Sequence, residues 1–270
     1  MKAGLALIVN SLKRVRFLVL TLGVLLCGFQ VLLSLVAASI QRSRGFDDLY
    51  SLVPDFFRQL MGPAFTALMS YSGIVCVGYF HIAVMGSLVG LVIALATEPA
   101  AEIEKGFMDL VLSRPLARGW VIMRSLAVVL ISTILVLALM MLGTWIGQRW
   151  LSPEGAVGPS AHLIRSLALN LGVLILCWAG VAVVISSFSR RRAVAGALTG
   201  LLALTTFLLD YVARAWSPAE KVAWLSPFRY YNPLDIVTGL PVHTRNLWIL
   251  GSVTVVGFAL ALVQFSRRDI

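Results

Sequence analysis

Six long apolar runs dominate this chain, at 17–38, 72–96, 125–147, 166–188, 194–209 and 247–265. A helix needs about 20 predominantly apolar residues to cross roughly 30 Å of hydrocarbon. The fifth run is the shortest and reaches that scale if it continues through Val212. Backbone polar groups in lipid must be satisfied internally, so only helices or closed barrels can span, and runs of this length are helices. The expectation is an all-α, polytopic membrane protein with six transmembrane helices. Composition agrees: 59% of residues are hydrophobic and 13% charged, where soluble domains average about 25% charged.

Between these boundaries no Asp, Glu, Lys or Arg occurs, although Arg124 and Asp210 stand one residue outside. That counts against a proton- or ion-coupled carrier, which places ionisable groups at membrane depth. The first run is longer than the 7–15 apolar residues of a signal peptide, and no small-residue cleavage site precedes Gln41 and Arg42, so it is expected to remain as an anchor. Cys27, Cys76 and Cys177 all fall in apolar runs, which implies neither a disulfide framework nor a metal site.

The net charge of +10 is explained by topology rather than by nucleic acid. With the N-terminus in the cytoplasm, the inner segments carry 13 Lys and Arg in 54 positions and the outer segments 9 in 88. This follows the positive-inside rule and places both termini in the cytoplasm of a multi-pass inner (plasma) membrane protein.

Residues 3–16 carry Leu5, Ile8, Val9, Leu12 and Val15 near helical spacing, with Lys13, Arg14 and Arg16 at the end. This predicts a short amphipathic helix on the inner leaflet, or an ordinary basic flank. The outer loop 39–71 has helical periodicity interrupted by Pro54 and predicts an interfacial helix. The segment 210–246, with Trp216, Trp224, Phe228, Tyr230 and Tyr231 among four prolines, predicts broken helices at the outer interface. Gly86/Gly90, Gly143/Gly147 and Gly196/Gly200 have the spacing that lets helix backbones approach, within one chain or between subunits.

Catalytic signatures are absent. There is no G-x-x-x-x-G-K-[ST] phosphate loop and no G-x-S-x-G elbow. His81 is the one histidine within a run, with no matched acid or nucleophile, and is expected to hydrogen-bond between helices. No catalytic residue, metal ligand or cofactor-binding residue is therefore assigned, and the chain is not expected to be an enzyme.

The polar insert after the second run reads differently. Glu98 and Pro99 end the run, and Glu102 and Glu104 then suit the positive end of a new helix. Ile103, Phe107, Leu110 and Val111 share one face, with Glu104, Lys105 and Asp109 elsewhere, and Arg114-Pro115 ends the helix. The pattern predicts a surface helix, apolar toward the bundle and charged toward solvent, which either docks a partner or merely lies at the interface.

The stretch Glu-x-Glu-x-Gly-x-x-x-x-x-Leu-Ser-x-Pro-Leu-x-Arg resembles the signature of ABC-2-type transporter permeases, the membrane subunits of ATP-driven exporters. The matching positions are Glu102, Glu104, Gly106, Leu110, Leu112, Ser113, Pro115 and Arg118. The elbow-like N-terminus, six spans, aromatic segment before the last span and the terminal Phe265-Ser266-Arg267-Arg268-Asp269 are similar to that family along nearly the whole chain. Two departures stand out: Phe107 where the family often has Thr, and Ser125 where it often has Lys, with Arg124 the nearest basic residue.

The resemblance implies a single permease domain over 1–270. It implies a coupling helix between spans 2 and 3 that docks an ATPase through Glu98, Glu102, Glu104, Gly106, Leu110, Pro115 and Arg118. The implied partners are a cytoplasmic ABC ATPase, which would carry the ATP and Mg, a second permease chain in a homodimer or with a similar paralogue, and the lipid membrane, with no nucleic acid. The alternatives are a membrane scaffold for an ATPase that moves no cargo and, more remotely, an intramembrane hydrolase.

Overall fold

The computed structural model describes residues 2–43, 67–106 and 119–267, and every regular element among them is helical. The helices are α1 (Lys2–Arg42), α2 (Tyr71–Val77), α3 (Ile82–Ala96), α4 (Glu98–Glu104), α5 (Gly119–Leu151), α6 (Ala161–Phe188), α7 (Arg192–Ala213), α8 (Ser217–Glu220), α9 (Pro233–Val237) and α10 (Thr244–Arg267). Six segments are long and apolar enough to span, namely Gly4–Arg42, Tyr71–Ala96, Gly119–Leu151, Ala161–Phe188, Arg192–Ala213 and Thr244–Arg267. They match the six runs of the sequence, and the protein is a multi-pass membrane protein.

Span 4 is the axis of the bundle. In its most apolar stretch 67% of residues are buried, against 22% for spans 5 and 6. Leu167, Leu171, Leu174, Ile175 and Trp178 form the centre of the core, on the face of α6 that α3, α5 and α10 cover.

Two spans are far longer than a bilayer requires. The 41 residues of α1 extend about 60 Å, twice the roughly 30 Å of hydrocarbon. Helix α5 runs beside it in parallel over most of that length. A Cβ on Gly4 would strike Trp120, one on Gly23 would strike Leu139, and one on Gly143 would strike the Cys27 backbone, each pair 116 positions apart. Gly147 abuts Ser34 in the same way. The Gly143/Gly147 pair is thus a close contact within one chain, whereas a Cβ on Gly86 or Gly90 would meet nothing.

Three expectations need correcting. The separate helix expected over 3–16 is the first part of the unbroken α1, because no Pro or Gly interrupts the register between Leu5 and Val19. Span 2 is two helices, broken at 78–81. There Tyr79 and Phe80 make three-residue turns onto Cys76 and Val77, and the Tyr231 hydroxyl donates to the Tyr79 carbonyl at 2.8 Å. His81, expected to bond between helices, starts α3 as its N-cap, Nδ1 accepting the Ala83 N–H at 3.2 Å.

The segment before span 6 is a series of short turns, as its prolines and aromatics suggest: α8, two 3-10 turns at Ala223–Leu225 and Pro227–Tyr230, then α9. It is anchored inward. Ser226 Oγ donates to the Thr206 carbonyl at 2.8 Å, Phe228 packs on Phe207 and Trp178, and Tyr231 is 4% exposed. The expected helix in 39–71 lies mostly outside the described residues.

Candidate functional site

At the end of the bundle where spans 2 and 3 are joined, helix α4 carries the first of the residues singled out by sequence. The helix differs from expectation. It begins at Glu98, directly after Thr97, with Pro99 in its first turn, where a missing N–H costs no helical bond. It ends at Glu104, and Gly106 takes a positive φ of 68°, a conformation that favours glycine. Pro99 therefore starts the helix rather than closing span 2. Phe107, Leu110, Leu112, Ser113, Pro115 and Arg118 lie outside the described residues.

Each of the three glutamates is held by an arginine of this same chain. Glu102 is 9% exposed and receives a bidentate pair from Arg124 of α5, Nη1 to Oε1 and Nη2 to Oε2, both at 2.8 Å. Parallel guanidinium–carboxylate bonds are the strong, geometrically selective kind. Glu98 sits between Arg14 of α1, at 2.6 Å, and Arg192 of α7, at 3.5 Å. Glu104 accepts the backbone N–H of Arg192 at 2.9 Å, and Arg192 Nη2 donates to the Ala94 carbonyl at 2.9 Å.

The Glu104 contact explains how α7 starts. Its N-cap, Arg191, has no side chain able to accept an N–H. A carboxylate from α4 supplies that bond and adds negative charge where the helix dipole favours it. Pro99, Ala100 and Ala101 face the bundle and are buried, so the helix sits close enough for these bonds. The result is a latch: a short helix continuous with span 2 and bonded to spans 1, 3 and 5.

Sequence put Glu98 at the end of span 2 and opened a surface helix with Glu102 and Glu104, whereas all three share α4. Their orientation is another matter. Glu102 faces the bundle rather than solvent, and among the described residues of the insert Glu104, Lys105 and Gly106 are exposed. Arg14, Arg124 and Arg192 were not singled out as site residues. Each reads as an ordinary basic flank of an apolar run, and boundaries drawn around charge put Arg124 outside span 3, whereas it is a buried member of α5. A weak signal existed: three acids on one short insert favour cations at the same depth, and Arg14, Arg124 and Arg192 all flank apolar runs.

Among the described residues the latch places no acid–base pair over a substrate-sized cavity. Its space, about 40 Å³ between Arg14, Leu18, Glu98, Ser125 and Arg192, holds little beyond water. Its bonds tie α4 to spans 1, 3 and 5. No protein-family model matches this sequence, and no curated protein does either.

Proposed function

We propose that this chain is the permease subunit of an ATP-driven exporter of the ABC-2 type, working as a dimer with a separate cytoplasmic ATPase. The observation that carries the reading is the latch. The insert between spans 2 and 3 begins with a helix whose three acids bind it to α1, α5 and α7. A push on that insert reaches four spans at once.

In this account ATP draws two ATPase subunits together, and each bears on the insert at 98–118. The Arg124–Glu102 pair passes the load to span 3, Arg14 to span 1 and Arg192 to span 5. The spans tilt, and a path opens between the protomers, a rigid-body switch of a familiar kind. ATP and Mg belong to the partner, and the permease converts its motion into access. The basic end of the α1 extension, Lys13, Arg14 and Arg16, lies at the headgroup level of the inner leaflet of the plasma membrane.

The test is reconstitution with the ATPase that co-purifies with the chain. Charge reversal at Glu102 and Glu104 is expected to abolish transport and permease-dependent ATP hydrolysis while membrane insertion persists. Unchanged hydrolysis would sink the assignment. A scaffold would retain its ATPase yet move nothing in proteoliposomes.

A further inference from the structure

At the opposite end of the bundle a cavity of about 400 Å³ opens between α3, α7 and the turns before span 6. That volume lies in the range of roughly 300–1,000 Å³ usual for small-molecule sites. Phe80, Met85, Phe207 and Phe228 line its apolar side, and Asp210 and Arg214 one polar edge. The mixture is unusual for a lipid-facing crevice, which needs no carboxylate.

Asp210 is 7% exposed although it belongs to a spanning helix. Its Oδ2 accepts two bonds from Arg214, from Nε at 3.2 Å and Nη2 at 2.8 Å. Among the described residues Oδ1 receives none. The Arg214 side chain is 60% exposed, so the cation of this pair is largely solvated while the carboxylate stays beneath the surface. A second carboxylate, Asp235, also borders the cavity. A buried ionisable group at a membrane cavity marks a functional site by default. Aromatic rings beside a carboxylate suit a cation with an apolar body, through ring faces and charge together.

We propose that this cavity binds an amphipathic organic cation, its charged centre at Asp210 and its body among Phe80, Phe207 and Phe228. Phe80 belongs to the break in span 2, and Tyr231, which fixes that break, lines the same cavity. An occupant therefore touches the one interruption in the described spans. If the exporter reading holds, the inference names the class of its cargo; the binding itself requires no ATPase.

The experiment uses the purified chain alone in nanodiscs of neutral lipid, with empty nanodiscs subtracted. Radiolabelled tetraphenylphosphonium is the probe, and tetraphenylborate, of the same shape and opposite charge, is titrated in a separate sample because the two ions pair when mixed. The expected result is saturable cation binding, with tetraphenylborate bound about tenfold more weakly or worse. Asp210→Asn weakens it by about tenfold, the scale of one charge contact in a partly buried site, and Asp210→Glu retains it. Phe80→Ala weakens both ions. Arg214→Gln, which removes the competing cation and keeps Asp210, leaves binding unchanged or tighter even if Asp210→Asn folds poorly. No saturable binding, equal affinity for tetraphenylborate, or weakening by Arg214→Gln would overturn the proposal. Each failure leaves the exporter reading standing, because no ATPase takes part.

Discussion

At the Glu98 end, helices meet through guanidinium–carboxylate pairs; at the far end, the break at 78–81 meets its neighbours through tyrosine hydroxyls. Arg124 and Glu102 share two charged bonds at 2.8 Å with both side chains nearly covered. Tyr231 gives one neutral bond to the Tyr79 carbonyl, and the Tyr79 hydroxyl meets Thr144 Oγ1 at 2.9 Å. Removing one partner of a buried neutral hydrogen bond costs about 1–3 kcal/mol, while removing one partner of a buried ion pair costs about 3–5 kcal/mol. The lesson is a division of labour. The charged pair at the Glu98 end is the costlier of the two to disrupt, and the tyrosine end the cheaper. Gln30 sharpens the contrast: it is fully buried against Gly78 at the break, and its side-chain amide has no partner among the described residues. An unpaired buried amide is costly.

The largest effect should come from the latch. Arg124→Ala strands Glu102 and is expected to cost about 3–5 kcal/mol, read as a lowered unfolding midpoint in detergent. The swap Glu102→Arg with Arg124→Glu should recover much of it; a double variant as weak as the single would show that the pair is not the source.

Tyr231→Phe comes next. It leaves the Tyr79 carbonyl unpaired and should cost about 1–3 kcal/mol. It should also raise the reactivity of Cys76, fully buried beside the break, toward a small thiol reagent. Unaltered labelling would mean the hydroxyl does not hold the break. Glu98→Gln should do least to stability, under about 1 kcal/mol, since Arg14 and Arg192 are 54% and 42% exposed. Its effect should shrink further in high salt, whereas that of Arg124→Ala should not.

The tyrosine end also has a pH signature. Burial pushes the Tyr231 phenol above the ordinary tyrosine range, so the folded state holds this proton more tightly than the unfolded one. The stabilisation is complete below about pH 10, the unfolded value, and declines as pH rises beyond it. Unfolding midpoints of wild type and Tyr231→Phe should therefore converge above that pH; a constant gap would place the phenol in solvent.

The six spans were legible because an apolar run of membrane length has few other solutions. Their true ends were not. Lys2–Arg42 and Gly119–Leu151 stay helical well beyond the apolar stretch, through polar residues that hydropathy discards. The break at 78–81 was invisible because Gly78, Tyr79 and Phe80 are ordinary within an apolar run, and the residue that fixes it, Tyr231, is 152 positions away. The acids of the site could be read from the insert, since Glu98, Glu102 and Glu104 lie on one short helix. Their arginines could not, since pairings between Arg14, Arg124, Arg192 and that helix exist only once four spans are packed. Gly143 shows the same limit: spacing announced a close contact, and only packing revealed α1 as the partner.

The central claim is that the insert following span 2 receives an ATPase and the latch passes its motion on. Affinity purification of the tagged chain in mild detergent, with mass spectrometry of its companions, tests this most directly. The account predicts a soluble phosphate-loop ATPase in the wild-type sample, its loss in Glu102→Arg, and its return in Glu102→Arg with Arg124→Glu. A chain that purifies without an ATPase at every salt concentration would contradict it.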